Sequence, residues 1–246
     1  MLKFITHVHT FYSTDGWNNP DCVRKYAEKK DVFVELLTHN NFLWTKLYPE
    51  VFESEHIVPA IEFGFSGTDV IAGGKNLGEL AKDKRFPIFD YKVERMLDIS
   101  LEEGTEILRD YAEYLYFPHP TFICGAFKNG YEHLMPKVDG IEIFNGPTSL
   151  FPSYNTKALN LAKKFNKTET AGVDGHMGMV SFNSCYNLVD ASYKDEIYEA
   201  MRKGRVKPII SPLYPFCLAK EYGVLAFLTL KDLLNPNSDI NLSNFI

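Results

Sequence analysis

Lys3-Phe4-Ile5-Thr6-His7-Val8-His9 alternates and ends in polar residues, so it reads as a first β-strand. Asn19-Pro20 follows, an N-cap with proline at the first helical position. Val23, Tyr26 and Ala27 then recur at helical spacing, which predicts a helix over about 20–30. Residues 32–37 (VFVELL) read as a buried strand ending at Thr38-His39. Residues 57–63 and 69–72 are two more short strands. Ser100-x-x-Glu103 is a capping box that opens a helix to about Glu113. Residues 114–117 form a strand ending at His119, and 140–144 (GIEIF) one ending at Asn145. Ala158, Ala162 and Phe165 mark a helix. Residues 170–173 lead as a strand into Asp174. Ser192 caps a helix carrying Tyr193, Ile197, Ala200 and Met201 on one face. Residues 206–210 read as a last strand, and 220–234 as a closing helix. Strand–helix alternation of this kind predicts an α/β fold with a largely parallel sheet. A barrel of the TIM type suits seven or so strands. An open doubly wound sheet is the alternative, but no Gly-rich turn follows the first strand.

The chain has 246 residues, 45% hydrophobic and 24% charged. With no linker rich in Pro, Gly or Ser, it reads as one barrel domain over 1–246, the last 30 or so residues being the closing helix and a tail. No apolar stretch of about 18 residues is present, which excludes a transmembrane helix. The first residues lack the hydrophobic region of a secretion signal, so the expected location is cytoplasmic. The net charge of −6 does not suit a protein that tracks an extended nucleic acid. Cys22, Cys124, Cys185 and Cys217 form no CxxC pair and are expected to be reduced.

Candidate metal-binding residues gather at the predicted strand ends. His7 and His9 end the first strand, His39 the second and Glu62 the third, while Asp69 begins the fourth. His119 follows the next, and Asp174 and His176 end the strand before the last helix. Only His56 and His133 of the seven histidines fall outside this set. In a β/α barrel those ends converge on one face. Residues i and i+2 of a strand share a face, so His7 and His9 can reach one ion. Core packing does not call for buried imidazoles beside carboxylates, which are costly without a metal.

The run His7-Val8-His9-Thr10-Phe11-Tyr12-Ser13-Thr14-Asp15-Gly16 resembles the first motif of the PHP (polymerase and histidinol phosphatase) family. Leu37-Thr38-His39 lies where that family usually has Thr-Asp-His. Pro59-Ala60-Ile61-Glu62, Phe117-Pro118-His119-Pro120, Gly140-Ile141-Glu142-Ile143-Phe144-Asn145-Gly146 and Gly172-Val173-Asp174-Gly175-His176 resemble its later motifs, in order. The likeness spans about residues 1–190. It implies a distorted (β/α)7 TIM-like barrel with two or three divalent metal ions, Zn, Mn or Fe. One metal would take His7, His9, Glu62 and Asp174. A second would share Glu62 and take His119, with Asp69 where the family more often has histidine. A third would take Asp15, His39 and His176. Thr38 replaces an aspartate that supports the site in the family.

The resemblance implies hydrolysis of a phosphoester by a metal-activated hydroxide, with His176 or Asp15 protonating the leaving alcohol. The expected substrate is a small phosphorylated metabolite or nucleotide. A short-oligonucleotide phosphodiesterase or exonuclease is the alternative, and a degenerate, non-catalytic metal-binding member is another. An amidohydrolase would need a lysine at a strand end, and none is placed there. Asn145, Lys75 and Lys128 are the candidate substrate-binding residues. Trp17, Phe42 and Trp44 are candidates for stacking on a base or sugar, or for a hydrophobic lid or a dimer contact, the latter being favoured.

Overall fold

A computed structural model describes residues 1–217, apart from 14, 66–67, 86–98 and 123–124, together with 219, 220 and 223. In chain order these form β1 (Leu2–His9), α1 (Pro20–Lys30), β2 (Phe33–Leu37), α2 (Leu43–Leu47), α3 (Pro49–Phe52), β3 (Ile57–Phe65), β4 (Thr68–Gly73), α4 (Leu101–Arg109), β5 (Tyr114–Phe117), β6 (Gly140–Asn145), α5 (Pro152–Phe165), β7 (Thr168–Gly175), β8 (Cys185–Val189), α6 (Lys194–Lys203) and β9 (Val206–Ile210). Short 3-10 turns join several of them.

Strands β1 to β7 pair in sequence, and β1 pairs with both β2 and β7, which closes a seven-stranded barrel. The α/β barrel expected from the alternating elements is therefore present. Its sheet is largely parallel as expected, five of the seven pairings that close the barrel being so, but it is mixed because β4 runs antiparallel to both β3 and β5. The reason lies in the connection. Only Ser66 and Gly67 separate β3 from β4, whereas a parallel pair needs a crossover of a dozen or more residues. A second departure is β8, which pairs antiparallel with the start of β1 and carries β9 on its other edge.

Asn19 caps α1 as expected, its side chain accepting from the N–H groups of Asp21 and Cys22. Ser100 likewise accepts from the Glu103 N–H, but the helix it opens ends at Arg109 rather than near Glu113. Ser192 does not cap α6. Tyr193 holds that position without a side-chain cap, and the Glu196 carboxylate accepts the Ser192 N–H instead. The helix expected over 220–234 lies almost entirely outside the described residues.

Apolar packing divides between the outside and the inside of the barrel. Val23 and Ala27 of α1 cover Ile5, Val8 and Val34. Leu101, Ile107 and Leu108 of α4, with Ala158 and Ala162 of α5, cover Phe63, Leu115 and Ile141. A further cluster of Phe4, Phe33, Leu37, Val58, Ile71, Tyr114 and Tyr116 is joined by Ile197, Ala200 and Met201 of α6. Phe42 and Trp44 are buried and pack with Phe52, so they are core residues and not an exposed lid or dimer contact. Cys22 and Cys185 are free thiols, and Cys124 lies outside the described residues. Among the described residues no helix is long and apolar enough to cross a membrane.

Candidate metal centre

The C-terminal ends of β1, β2, β3, β5, β6 and β7 share one rim. The antiparallel β4 starts at that rim, where Asp69 pairs with Gly64. Glu62 of β3 is the hub. Its Oε2 lies 3.4 Å from His7 Nε2, 3.1 Å from His9 Nε2 and 3.0 Å from His39 Nε2. Its Oε1 lies 3.3 Å from His119 Nε2. Opposite stands Asp174 of β7, with Oδ1 3.4 Å from His7 Nε2 and 3.6 Å from His9 Nε2. His176 Nε2 and His39 Nδ1 reach Asp15 at 3.2 and 3.5 Å. Asp15 is the most exposed member, at 56% of its side chain, while His7 and His9 are fully buried.

Several backbone features aim these side chains. His7, Asn40, His119 and Asp174 all have positive φ. Among the described residues the two other such non-glycine positions, Asp31 and Asn166, are ordinary left-handed helix C-caps. Left-handed backbone is unfavourable for a residue with a Cβ, by roughly 1–2 kcal/mol. Its concentration at this rim marks a site where geometry overrides local preference. The register of β1 shifts between Ile5 and Val8. The two histidines are thus set by a bulge, not by simple strand alternation.

Behind the rim a polar layer holds the imidazoles. His7 Nδ1–H donates to Glu142 Oε1 at 3.0 Å. Glu142 Oε2 accepts from the His119 N–H at 2.8 Å and from Asn145 Nδ2 at 2.9 Å. Asn145 Nδ2 also donates to Asp174 Oδ2 at 3.0 Å, and its Oδ1 accepts the Thr148 N–H. Asn145 is buried and occupied by these partners, so its place is behind Asp174 rather than at the mouth. Ser13 Oγ accepts the His39 N–H and lies 3.0 Å from His9 Nδ1. Thr38 donates to the Asn41 carbonyl and so ties down the loop after β2.

The charges sort themselves by environment. Burial would lower the His7 pKa, but Asp174, Glu62 and Glu142 outweigh it and hold the group well above the usual histidine range. Burial, helped by His176 and His39, pushes His9 down to about 3. His176 is raised to about 9, since Asp15 and Asp174 overcome its burial. Burial would raise Glu62, yet His7 and the neighbouring imidazoles of His119 and His39 hold it well below the carboxylate range. Asp174 falls to about 2 against its own burial because His7, His176, His119 and His9 surround it.

The donor set suits divalent metal. His7 with Glu62 and His119, His7 with His9 and Asp174, His9 with His39 and Glu62, and His9 with Asp15 and His176 each bring three ligand atoms within 4.8 Å of one another. The buried His7 Nε2, His9 Nε2 and Glu62 Oε1 have no hydrogen-bond partner of good geometry. A buried polar atom without a partner is costly, and divalent ions bound in these groups would relieve that cost. Mixed imidazole and carboxylate ligands suit a divalent metal ion.

Of the residues singled out from the sequence, the cluster unites His7, His9, Asp15, His39, Glu62, His119, Asp174 and His176. Asp69 stands at the rim on the face of Glu62 but is not among those close groups. Lys75 is not brought to the rim. It follows β4 at the opposite end of the barrel, where Gly73 pairs with Tyr114, and its ammonium faces Asp195 at 3.4 Å. Lys128 lines a cleft against α5 with Phe127, Glu132 and Lys157. Sequence reasoning passed over Glu142 and Ser13 as supports. The signal for Glu142 was a carboxylate in the middle of an otherwise apolar strand run.

No family model matches the chain, and no curated protein matches it. Among solved structures, a protein from Bifidobacterium adolescentis provisionally named a metal-dependent phosphoesterase superposes with a TM-score of 0.50 at 13% identity, over 70% of this chain and 87% of that one. An amidohydrolase from Chromobacterium violaceum, with bound sulfate and no metal, gives 0.50 at 16% identity over the same shares. The likeness is one of fold.

Proposed function

We propose that this protein is a metal-dependent hydrolase of phosphoesters, acting on a small phosphorylated metabolite or nucleotide. The observation that carries the reading is the ring of imidazole nitrogens around Glu62, two of them buried and unpartnered. His7, His9, Glu62 and Asp174 would hold one ion. Glu62 would be shared with a second at His119, and Asp15, His39 and His176 would serve a third. Divalent ions there supply Lewis acidity and lower the pKa of water enough to make a nucleophile near neutral pH.

The chain's own residues do the rest. Glu142 and Asn145 fix His7 and Asp174, so little reorganisation is needed as charge develops. Asp15 and His176 lie toward solvent, where a substrate would arrive. Where only two ions are bound, Asp15 keeps His176 protonated, and His176 would pass that proton to the leaving oxygen; a third ion at His176 would displace that proton and take this role from it. The acidic surface favours a small substrate over an extended nucleic acid.

Elemental mass spectrometry on protein purified without chelator or histidine tag tests the centre. The expected result is two or three equivalents of Zn, Mn or Fe, lost in His9→Ala and Asp174→Ala, with turnover on a phosphoester panel that disappears in the same variants. Less than about one equivalent after reconstitution would end the enzyme reading. Turnover of amides alone would move the assignment to amide hydrolysis.

A further inference from the structure

Beneath the rim, inside the barrel, lies a carboxylate that the hydrolytic reading does not use. Glu35 is the central residue of β2 and is fully buried. Its strand neighbours Phe33 and Leu37 share its face and pack in the apolar interior. Packing asks for an apolar side chain there, and a buried carboxylate is tolerated only when it is well hydrogen-bonded.

Three donors meet it. Tyr114 Oη donates to Oε1 at 2.5 Å, and Tyr116 Oη donates to Oε2 at 2.6 Å. The third donor is the backbone N–H of His7, to Oε2 at 2.8 Å. The tyrosines stand on β5, which is not a neighbour of β2, so these bonds cross the barrel. Gly73 leaves space for this arrangement: a Cβ there would lie 2.0 Å from Tyr114 Cζ.

The His7 bond has a particular meaning. His7 has φ 65°, within the register shift of β1. At a bulge the extra residue leaves the ladder, and its N–H must find another acceptor. Glu35 is that acceptor. We propose that Glu35 is a positioning residue: clamped by Tyr114 and Tyr116, it holds the left-handed backbone of His7 and thereby aims His7 Nε2 between Glu62 and Asp174. This inference rests on reading that cluster as a metal centre. Outer partners of metal ligands typically change affinity by about 10–100-fold when removed.

The test measures the Zn²⁺ dissociation constant by chelator competition on the full chain, with folding followed by circular dichroism. His7 amide hydrogen exchange is followed by NMR on the same samples. Glu35→Leu is expected to weaken binding at least about tenfold. Glu35→Gln keeps an oxygen acceptor for the His7 N–H and should stay within about threefold, since the bond rather than the charge is at stake. The double variant Tyr114→Phe/Tyr116→Phe should fall between them. Wild-type affinity in a folded Glu35→Leu overturns the proposal, as does an equal loss in Glu35→Gln. If Glu35→Leu does not fold, wild-type affinity in the double tyrosine variant overturns it instead. A wild-type chain that binds no Zn²⁺ refutes the metal reading separately. The exchange data then decide the bond: a His7 amide that exchanges freely in the wild type overturns it, and one whose protection falls in the tyrosine variant upholds it.

Discussion

Glycine 172 shows how tightly single residues are held at this centre. A Cβ added there would lie 1.6 Å from Glu142 Oε1 and 3.1 Å from the His7 Cβ. Glu142 is packed and hydrogen-bonded, so it has nowhere easy to go. Gly172→Ala should therefore destabilise the protein by about 1–3 kcal/mol, the usual range for overpacking. It should also lower bound metal, because the carboxylate that orients His7 is displaced. Denaturant unfolding and metal analysis of the same preparation check both. At Cys185 the outcome is one of inertness. Its thiol is fully buried, and burial pushes its pKa far above the ordinary value against a hydrogen bond from Ser184. The thiolate is the reactive form. Peptide mapping after alkylation at pH 7.5 should find Cys185 unmodified in the native protein and modified once it is unfolded.

Among the elements, β8 does the most to explain the seam. β1 begins against β8 and then turns to β7, and Asn187 of β8 bridges the junction. Its Oδ1 accepts the Ala171 N–H at 2.9 Å, and its Nδ2 donates to the Ala171 carbonyl at 3.0 Å and to Thr6 Oγ1 at 3.2 Å. A leucine of similar size fills the space but leaves the Ala171 N–H unpaired, while the Ala171 carbonyl keeps the bond from Thr6 Oγ1. Asn187→Leu is expected to cost about 1–3 kcal/mol in urea unfolding, the penalty for an orphaned buried donor. By contrast, Asn19 only caps α1. Asn19→Ala should cost about 1 kcal/mol and leave metal content unchanged. A loss of metal in that variant would show that α1 reaches the centre by a route the packing does not reveal.

For the whole molecule, a metal held at this cluster would couple to the fold. The cluster brings together five histidines and three carboxylates, several of them buried. A ligand that binds only the folded chain stabilises it by about 2.7 kcal/mol at a hundredfold excess over its dissociation constant. At about 2–4 °C per kcal/mol for a chain of this size, Zn or Mn should raise Tm by roughly 5–10 °C. Chelator should reverse the gain, and His9→Ala should abolish it. Binding must displace protons from His7 and His176, whose pKa values are raised. The metal-dependent gain in Tm should therefore be smaller at pH 6 than at pH 8. An equal gain at both values would count against those two ligands.

The strand and helix pattern, the N-caps of α1 and α4, and the set of histidines and carboxylates now found at one rim were legible in the chain. They depend on local chemistry: apolar spacing, capping side chains, and polar residues placed just after apolar runs. The hairpin that reverses β4 was also written there, in the two residues between β3 and β4, although the short apolar runs hid it. Glu62 was legible as a candidate ligand from its place at a strand end, but tertiary structure alone decided what Glu35 and Glu142 do. Both sit in apolar strand runs, and nothing local separates their roles. Their roles differ because barrel closure sets Glu62 among four imidazoles, Glu142 behind His7, and Glu35 below it beside Tyr114 and Tyr116. The left-handed backbone of His7, His119 and Asp174 belongs to the same class. No local preference of histidine or aspartate favours it over a strand, and it persists because distant strands supply the hydrogen bonds that hold it.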